Sequence, residues 1–124
     1  MYKRIIICDD TIYSRSMLRN MIEEVNDYII VEVNNRKELL ETLIINKEKG
    51  REFDYLFLDL EIKRDDGLKI LKKIREIEPL IEVILCGGVS LSDEIIAQGM
   101  NLGVKRFLPK PYKSKNVELI LNNE

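Results

Sequence analysis

The chain has 124 residues, 45% of them hydrophobic and 34% charged, with a formal net charge of -2. That is about one domain with ample material for a core, and no electrostatic pull toward nucleic acid or an anionic membrane. No apolar run approaches the roughly 20 residues that cross a bilayer, and the absence of histidine removes the commonest general base and metal ligand, so any bound metal is a hard cation held by oxygen.

The segment from Lys3 to Cys8 is a short β-branched run, which predicts a buried strand rather than a leader peptide, and it ends on Asp9-Asp10. Ile12, Met17, Leu18, Met21, Ile22 and Val25 recur at helical spacing, predicting a helix over 11–25 capped by Asp10 or Thr11. Tyr28 to Val33 reads as a second strand, placed at an edge because Glu32 interrupts it. Asn35 caps a helix from Arg36 to about Lys49, and Gly50 ends it. A third strand over Asp54–Leu58 leads through Asp59 into a charged loop. Asp66 then caps a helix from Gly67 to Glu76, closed by Pro79.

Ile81 to Cys86 predicts the fourth strand, followed by Gly87-Gly88, and Ser90 is the candidate cap of a helix from about Leu91 to Met100 or Asn101. Gly103 marks a turn, Val104 to Leu108 a weaker fifth strand, Lys110-Pro111 a loop, and Ser114 to Leu121 a short final helix. Five strands alternating with five helices imply right-handed crossovers and a parallel sheet covered on both faces, an α/β fold. In such sheets ligands bind at the carboxyl ends of strands.

Asp9, Asp10 and Asp59 fall at those ends. If the first and third strands are neighbours, the three carboxylates meet. Two unit charges about 4 Å apart repel by about 1 kcal/mol in water and about 4 kcal/mol at an effective dielectric near 20. The cluster therefore calls for positive charge. Mg²⁺ is one answer, with Asp9, Asp10 and Asp59 as ligands, and Lys110 reaching in after the fifth strand is another. A carboxylate between a divalent cation and an ammonium suits phosphoryl chemistry, because the cations neutralise the transferring oxygens while the carboxylate attacks phosphorus. Taken singly, each aspartate reads as a helix cap or turn residue; the pattern of three with Lys110 carries the inference.

These residues resemble the receiver domain of two-component response regulators, over the whole chain. Ile5-Ile6-Ile7-Cys8-Asp9-Asp10 looks like the acidic-pair strand, Leu58-Asp59 with Asp66-Gly67 keeps the spacing from phosphoacceptor to "DG", and Gly103 through Phe107 with Lys110-Pro111-Tyr112 resembles the family's ending. The resemblance implies a flavodoxin-like (βα)5 fold of strand order 2-1-3-4-5. Asp59 would take phosphate from a sensor histidine kinase. Asp9 and Asp10 would hold Mg²⁺ with the backbone carbonyl of Glu61 as a further ligand, and Lys110 would contact the phosphoryl oxygens. Phe107 would be the switch aromatic. It further implies a cytoplasmic signalling module rather than an enzyme, whose output is a downstream effector protein or a fused domain, with no nucleic-acid or membrane binding of its own. The final helix is short, so a stand-alone receiver and one whose effector continues beyond Glu124 are both open. With the third strand between Cys8 and Cys86, two strand spacings exceed the roughly 7 Å limit for a disulfide, so both thiols are expected free.

The sequence departs from the family where a Ser or Thr usually ends the fourth strand. Gly87 or Gly88 falls there instead, and neither has a side chain. A lost hydrogen bond to a charged group is worth about 1.5–3 kcal/mol, or about 10- to 100-fold in switching bias. Ser90 could supply a hydroxyl if its loop folds inward. Lys63 replaces a common proline, and Glu61 adds negative charge at the pocket mouth, as a solvated residue, a repellent of phosphodonors or an orienter of water. Two alternatives stand beside the phosphoacceptor: an interaction module independent of phosphate, and a phosphatase using Asp59 and Glu61, which lacks a cap domain.

Overall fold

The computed structural model describes residues 2–61 and 67–122. Strands β1 (Arg4–Cys8), β2 (Ile29–Val33), β3 (Tyr55–Asp59), β4 (Glu82–Gly87) and β5 (Arg106–Pro109) alternate with helices α1 (Ile12–Val25), α2 (Arg36–Glu48), α3 (Gly67–Ile77), α4 (Asp93–Asn101) and α5 (Ser114–Asn122). The strands form one parallel sheet in the order β2-β1-β3-β4-β5, the doubly wound arrangement that the pattern predicts.

Side chains on a strand point alternately to opposite faces, and the sheet sorts its residues that way. Ile6, Cys8, Leu56, Leu58, Val83 and Leu85 meet Leu39 and Leu43 of α2 and Ile70, Leu71 and Ile74 of α3. Ile5, Ile7, Tyr55, Phe57, Ile84 and Cys86 meet Leu18 and Ile22 of α1 and Val117, Ile120 and Leu121 of α5. Burial on both sides explains why β1 and β3 read as continuous apolar runs. β2 is the edge strand, as Glu32 indicates; Glu32 is half-buried there, paired with Arg15 and Arg19.

In α3, Leu71 and Ile74 are buried while Lys69, Lys72 and Lys73 face solvent. A Leu71→Ala cavity in this layer would cost about 2–5 kcal/mol. Arg75 of the same helix donates to the carbonyls of Ile81, Leu102 and Gly103, tying α3 to the start of β4 and to the turn after α4. Gly50 and Gly103 end their helices with φ of 68° and 85°, a left-handed conformation in which a side chain is strained. Gly99 serves differently. A Cβ there would lie 2.9 Å from Leu85 Cδ1, so the α4 backbone rests directly on the sheet.

Several boundaries differ from the sequence reading. Ser92, not Ser90, caps α4: its side chain accepts from the Ile95 N–H, and the helix begins at Asp93 rather than Leu91. Both serines offer a hydroxyl, but the acidic first turn of Asp93 and Glu94 favours the later start. β5 runs over Arg106–Pro109 instead of 104–108. Thr11 is the residue before α1 but makes no side-chain capping bond; its hydroxyl donates to Asp10 instead. Asn35 caps α2 as predicted, accepting from the Glu38 N–H. Lys63 and the expected cap Asp66 lie outside the described residues. Neither Cys8 nor Cys86 is in a disulfide, and both are buried, with β3 between their strands.

Candidate functional site: an acidic hollow at the carboxyl end of the sheet

β1 and β3 are hydrogen-bonded neighbours, with Cys8 opposite Leu58, so the residues that follow emerge side by side. Asp9, Asp10 and Asp59 offer carboxylate oxygens that all lie within 4.8 Å of one another. Asp9 is 1% exposed and Asp59 3%, whereas Asp10 is at the surface. The backbone fixes this convergence. The Asp9 N–H donates to the Val33 carbonyl of β2, and the Leu60 N–H to the Cys86 carbonyl of β4.

Each buried carboxylate has one oxygen engaged locally. Asp9 Oδ1 accepts the Thr11 N–H at 2.9 Å, and Asp59 Oδ1 accepts the Glu61 N–H at 2.9 Å. Lys110 closes the other side: its Nζ donates to Asp59 Oδ2 at 2.9 Å and lies 3.5 Å from Glu61 Oε1 and 5.8 Å from the Tyr112 ring. The lysine is placed by the bond from its own N–H to the Gly87 carbonyl, and the peptide after it, Lys110–Pro111, is cis. Asp9 Oδ2 is buried and takes no hydrogen bond among the described residues. A buried anionic oxygen left in that state is costly, and a cation in the hollow would satisfy it.

The electrostatics agree. Burial pushes Asp59 above the ordinary carboxylate value, against the Glu61 N–H and the Lys110 hydrogen bond that favour the charged form, and the charge of Asp9 pushes the same way as burial. Burial alone would lower Lys110, but the hydrogen bond to Asp59 and the charges of Asp59, Asp9 and Glu61 outweigh it and raise the lysine. The site holds more negative than positive charge. Its donor set of carboxylates, with neither histidine nor thiolate, fits Mg²⁺.

The two glycines face opposite ways. A Cβ at Gly87 would meet Ser90 Oγ at 2.5 Å, Leu91 and Leu60, whereas one at Gly88 would meet the Glu61 carboxylate at 3.5–3.9 Å. Gly88 therefore occupies the position whose side chain would face the hollow. Ser90 does fold inward, and its hydroxyl is buried, but it packs over Gly87. Phe107 is partly buried against the α3–α4 side of the core, with its ring 3.4 Å from the place of a Gly99 Cβ.

Two residues escaped the sequence reading. Arg36, read as the first residue of a helix, is 7% exposed, and its guanidinium donates to the Asp59 carbonyl at 3.3 Å. Arg15 donates to the Asp9 carbonyl at 2.6 Å. Both brace the acidic strand ends from behind. An arginine at the start of a helix carries no local sign that tertiary packing will bury it.

Comparison with known proteins agrees with this geometry. The chain is 27% identical over 122 residues to the chemotaxis protein CheY of Thermotoga maritima, covering 98% of this chain and 97% of that one. It is 27% identical to the transcriptional regulatory protein LytR of Staphylococcus aureus over 94% of this chain, but over only 45% of LytR. Among solved structures, a CheY-like receiver domain protein from Methanospirillum hungatei superposes with a TM-score of 0.84 at 20% identity, covering 99% of this chain and 93% of that one. The model of the response regulator receiver domain matches residues 5–122, and the chain belongs to that family.

Proposed function

We propose that this chain is a phosphoacceptor in two-component signalling, in which Asp59 receives a phosphoryl group from a phosphohistidine of a sensor kinase. The observation that carries the reading is the meeting of Asp9, Asp10, Asp59 and Lys110, distant in sequence, at one end of the sheet. Asp9, Asp10 and Asp59, with the Glu61 carbonyl, would hold Mg²⁺, which when bound offsets the charge of the phosphoryl oxygens. A carboxylate oxygen of Asp59 attacks phosphorus, the phosphorus–nitrogen bond of the phosphohistidine breaks, and its electron pair stays on the imidazole, which takes a proton from solvent. The product is an acyl phosphate. Lys110 neutralises the new oxygens and, by pairing with Asp59 beforehand, holds the nucleophile in place. The output is a change in the face formed by α4, β5 and α5, read by an effector protein or a fused domain. The domain acts in the cytoplasm, as a stand-alone receiver or as one part of a longer chain.

The test uses acetyl phosphate with Mg²⁺ as donor. Wild type takes label and Asp59→Asn does not; equal labelling of both would end the proposal.

A second reading has its own observation. Gly88 presents no hydroxyl to the hollow, so the usual link from phosphate to Phe107 is missing. In that reading the fold is an interaction module whose partner binding ignores Asp59, and a partner that binds wild type and Asp59→Asn equally would favour it.

A further inference from the structure

The Glu61 carboxylate stands where an incoming anion would be held. Its Oε1 accepts the Gly88 N–H at 2.8 Å and lies 3.5 Å from Lys110 Nζ. A backbone N–H at a strand end and an ammonium converging on one oxygen make an anion subsite, and the chain fills it with its own side chain. Glu61 packs against residue 88 itself: both of its oxygens lie 3.5–3.7 Å from where a Cβ would project, ordinary contact distance. Lys110 thus serves two carboxylates at once, Asp59 at 2.9 Å and Glu61 at 3.5 Å.

From this juxtaposition we propose that Glu61 is an internal competitor for the phosphoryl-oxygen subsite formed by Lys110 and the Gly88 N–H, a latch that phosphorylation must displace. The inference rests on the phosphoacceptor reading above. A phosphoryl group on Asp59 brings further anionic oxygens to the same ammonium, and Glu61 cannot keep both of its contacts once they arrive. The Glu61 side chain is 39% exposed, so it has solvent to swing into. Its own N–H, bonded to Asp59 Oδ1, stays where it is. Glu61 is in this way a positioning and regulatory residue: it keeps Lys110 and the Gly88 amide ordered in the resting protein and slows their capture by phosphate.

The experiment compares wild type, Glu61→Gln and Glu61→Ala, using acetyl phosphate with Mg²⁺ as probe. Glu61→Gln keeps an oxygen for the Gly88 N–H and loses the charge; Glu61→Ala loses both. Labelling at Asp59 should rise by about 5- to 30-fold in Glu61→Ala, the range for losing one charge-assisted hydrogen bond softened by partial exposure, with Glu61→Gln between. Independently of any donor, the Gly88 amide proton should move upfield in Glu61→Ala in a proton–nitrogen correlation spectrum. Wild-type labelling rates in both variants, or an unmoved Gly88 amide, overturn the latch and leave the phosphoacceptor reading intact. No labelling of any of the three proteins overturns that reading, and the latch with it.

Discussion

The acidic hollow and the β4–α4 loop sit side by side at the same end of the sheet and are built on opposite plans. In the hollow, Asp9 and Asp59 are buried, their backbones are hydrogen-bonded to neighbouring strands, and Lys110 is anchored through its own N–H. In the loop and the strand end before it, Gly87 and Gly88 bring no side chains, Val89 is 97% exposed, and the buried Ser90 hydroxyl packs over Gly87. The parts that would perform the chemistry are therefore fixed by the fold, while the part that would report on it is sparse.

That contrast can be sharpened by supplying what the loop lacks. The place of a Gly88 Cβ has ordinary contact distances to Glu61, so Gly88→Ser should fold and place a hydroxyl at the hollow. A hydrogen bond to a charged group contributes about 1.5–3 kcal/mol, so beryllofluoride should shift the Phe107 ring environment toward its bound state about 10- to 100-fold more in Gly88→Ser than in wild type. Ring resonances that respond alike in both proteins would mean that the hydroxyl position is not the missing link.

The two glycines should also differ in stability. A Cβ at Gly87 would lie 2.5 Å from Ser90 Oγ, so Gly87→Ala displaces that buried hydroxyl and should cost about 1–3 kcal/mol in urea unfolding. Gly88→Ala, with contacts no closer than 3.5 Å, should stay within about 0.5 kcal/mol of wild type. Equal losses would break the assignment of opposite faces.

The smallest effect tests the hollow by pH. Burial raises Asp59 above its ordinary value of 3.8 in the folded protein, so the native state holds that proton more tightly than the unfolded chain does. The contribution is present at low pH and is lost as pH rises through the raised value. Asp59→Asn removes it. The variant should gain stability relative to wild type between pH 3.8 and neutrality, and Mg²⁺ should reduce that gain by stabilising only the wild type. A stability difference that does not change with pH would show that Lys110 already compensates the buried charge.

Much of this was legible in the sequence because its signals are local. The runs ending in Cys8 and Leu58 announce strands covered on both faces, and the doublet Asp9-Asp10, Asp59 and Lys110 announce what those strands deliver. The resemblance to receivers then implies the strand order that sets β1 beside β3, and with that order the carboxylates meet. What was not legible depends on facing. Two adjacent glycines leave no pattern from which to tell which one looks into the hollow. Ser90 is the cap read from the sequence, and Ser92 takes the role instead, ahead of the acidic turn Asp93-Glu94. The burial of Arg36 and the reach of Glu61 to the Gly88 N–H are tertiary facts with no signature of their own in the chain.

One backbone detail carries further. The Leu60 N–H and the Lys110 N–H hang from consecutive carbonyls, those of Cys86 and Gly87. The tip of the fourth strand is thus a crossbar from which nucleophile and ammonium are both suspended, and their separation is gauged by the peptide spacing of a single strand. Gly88, just beyond that crossbar, can be rebuilt without touching either carbonyl from which the pair hangs.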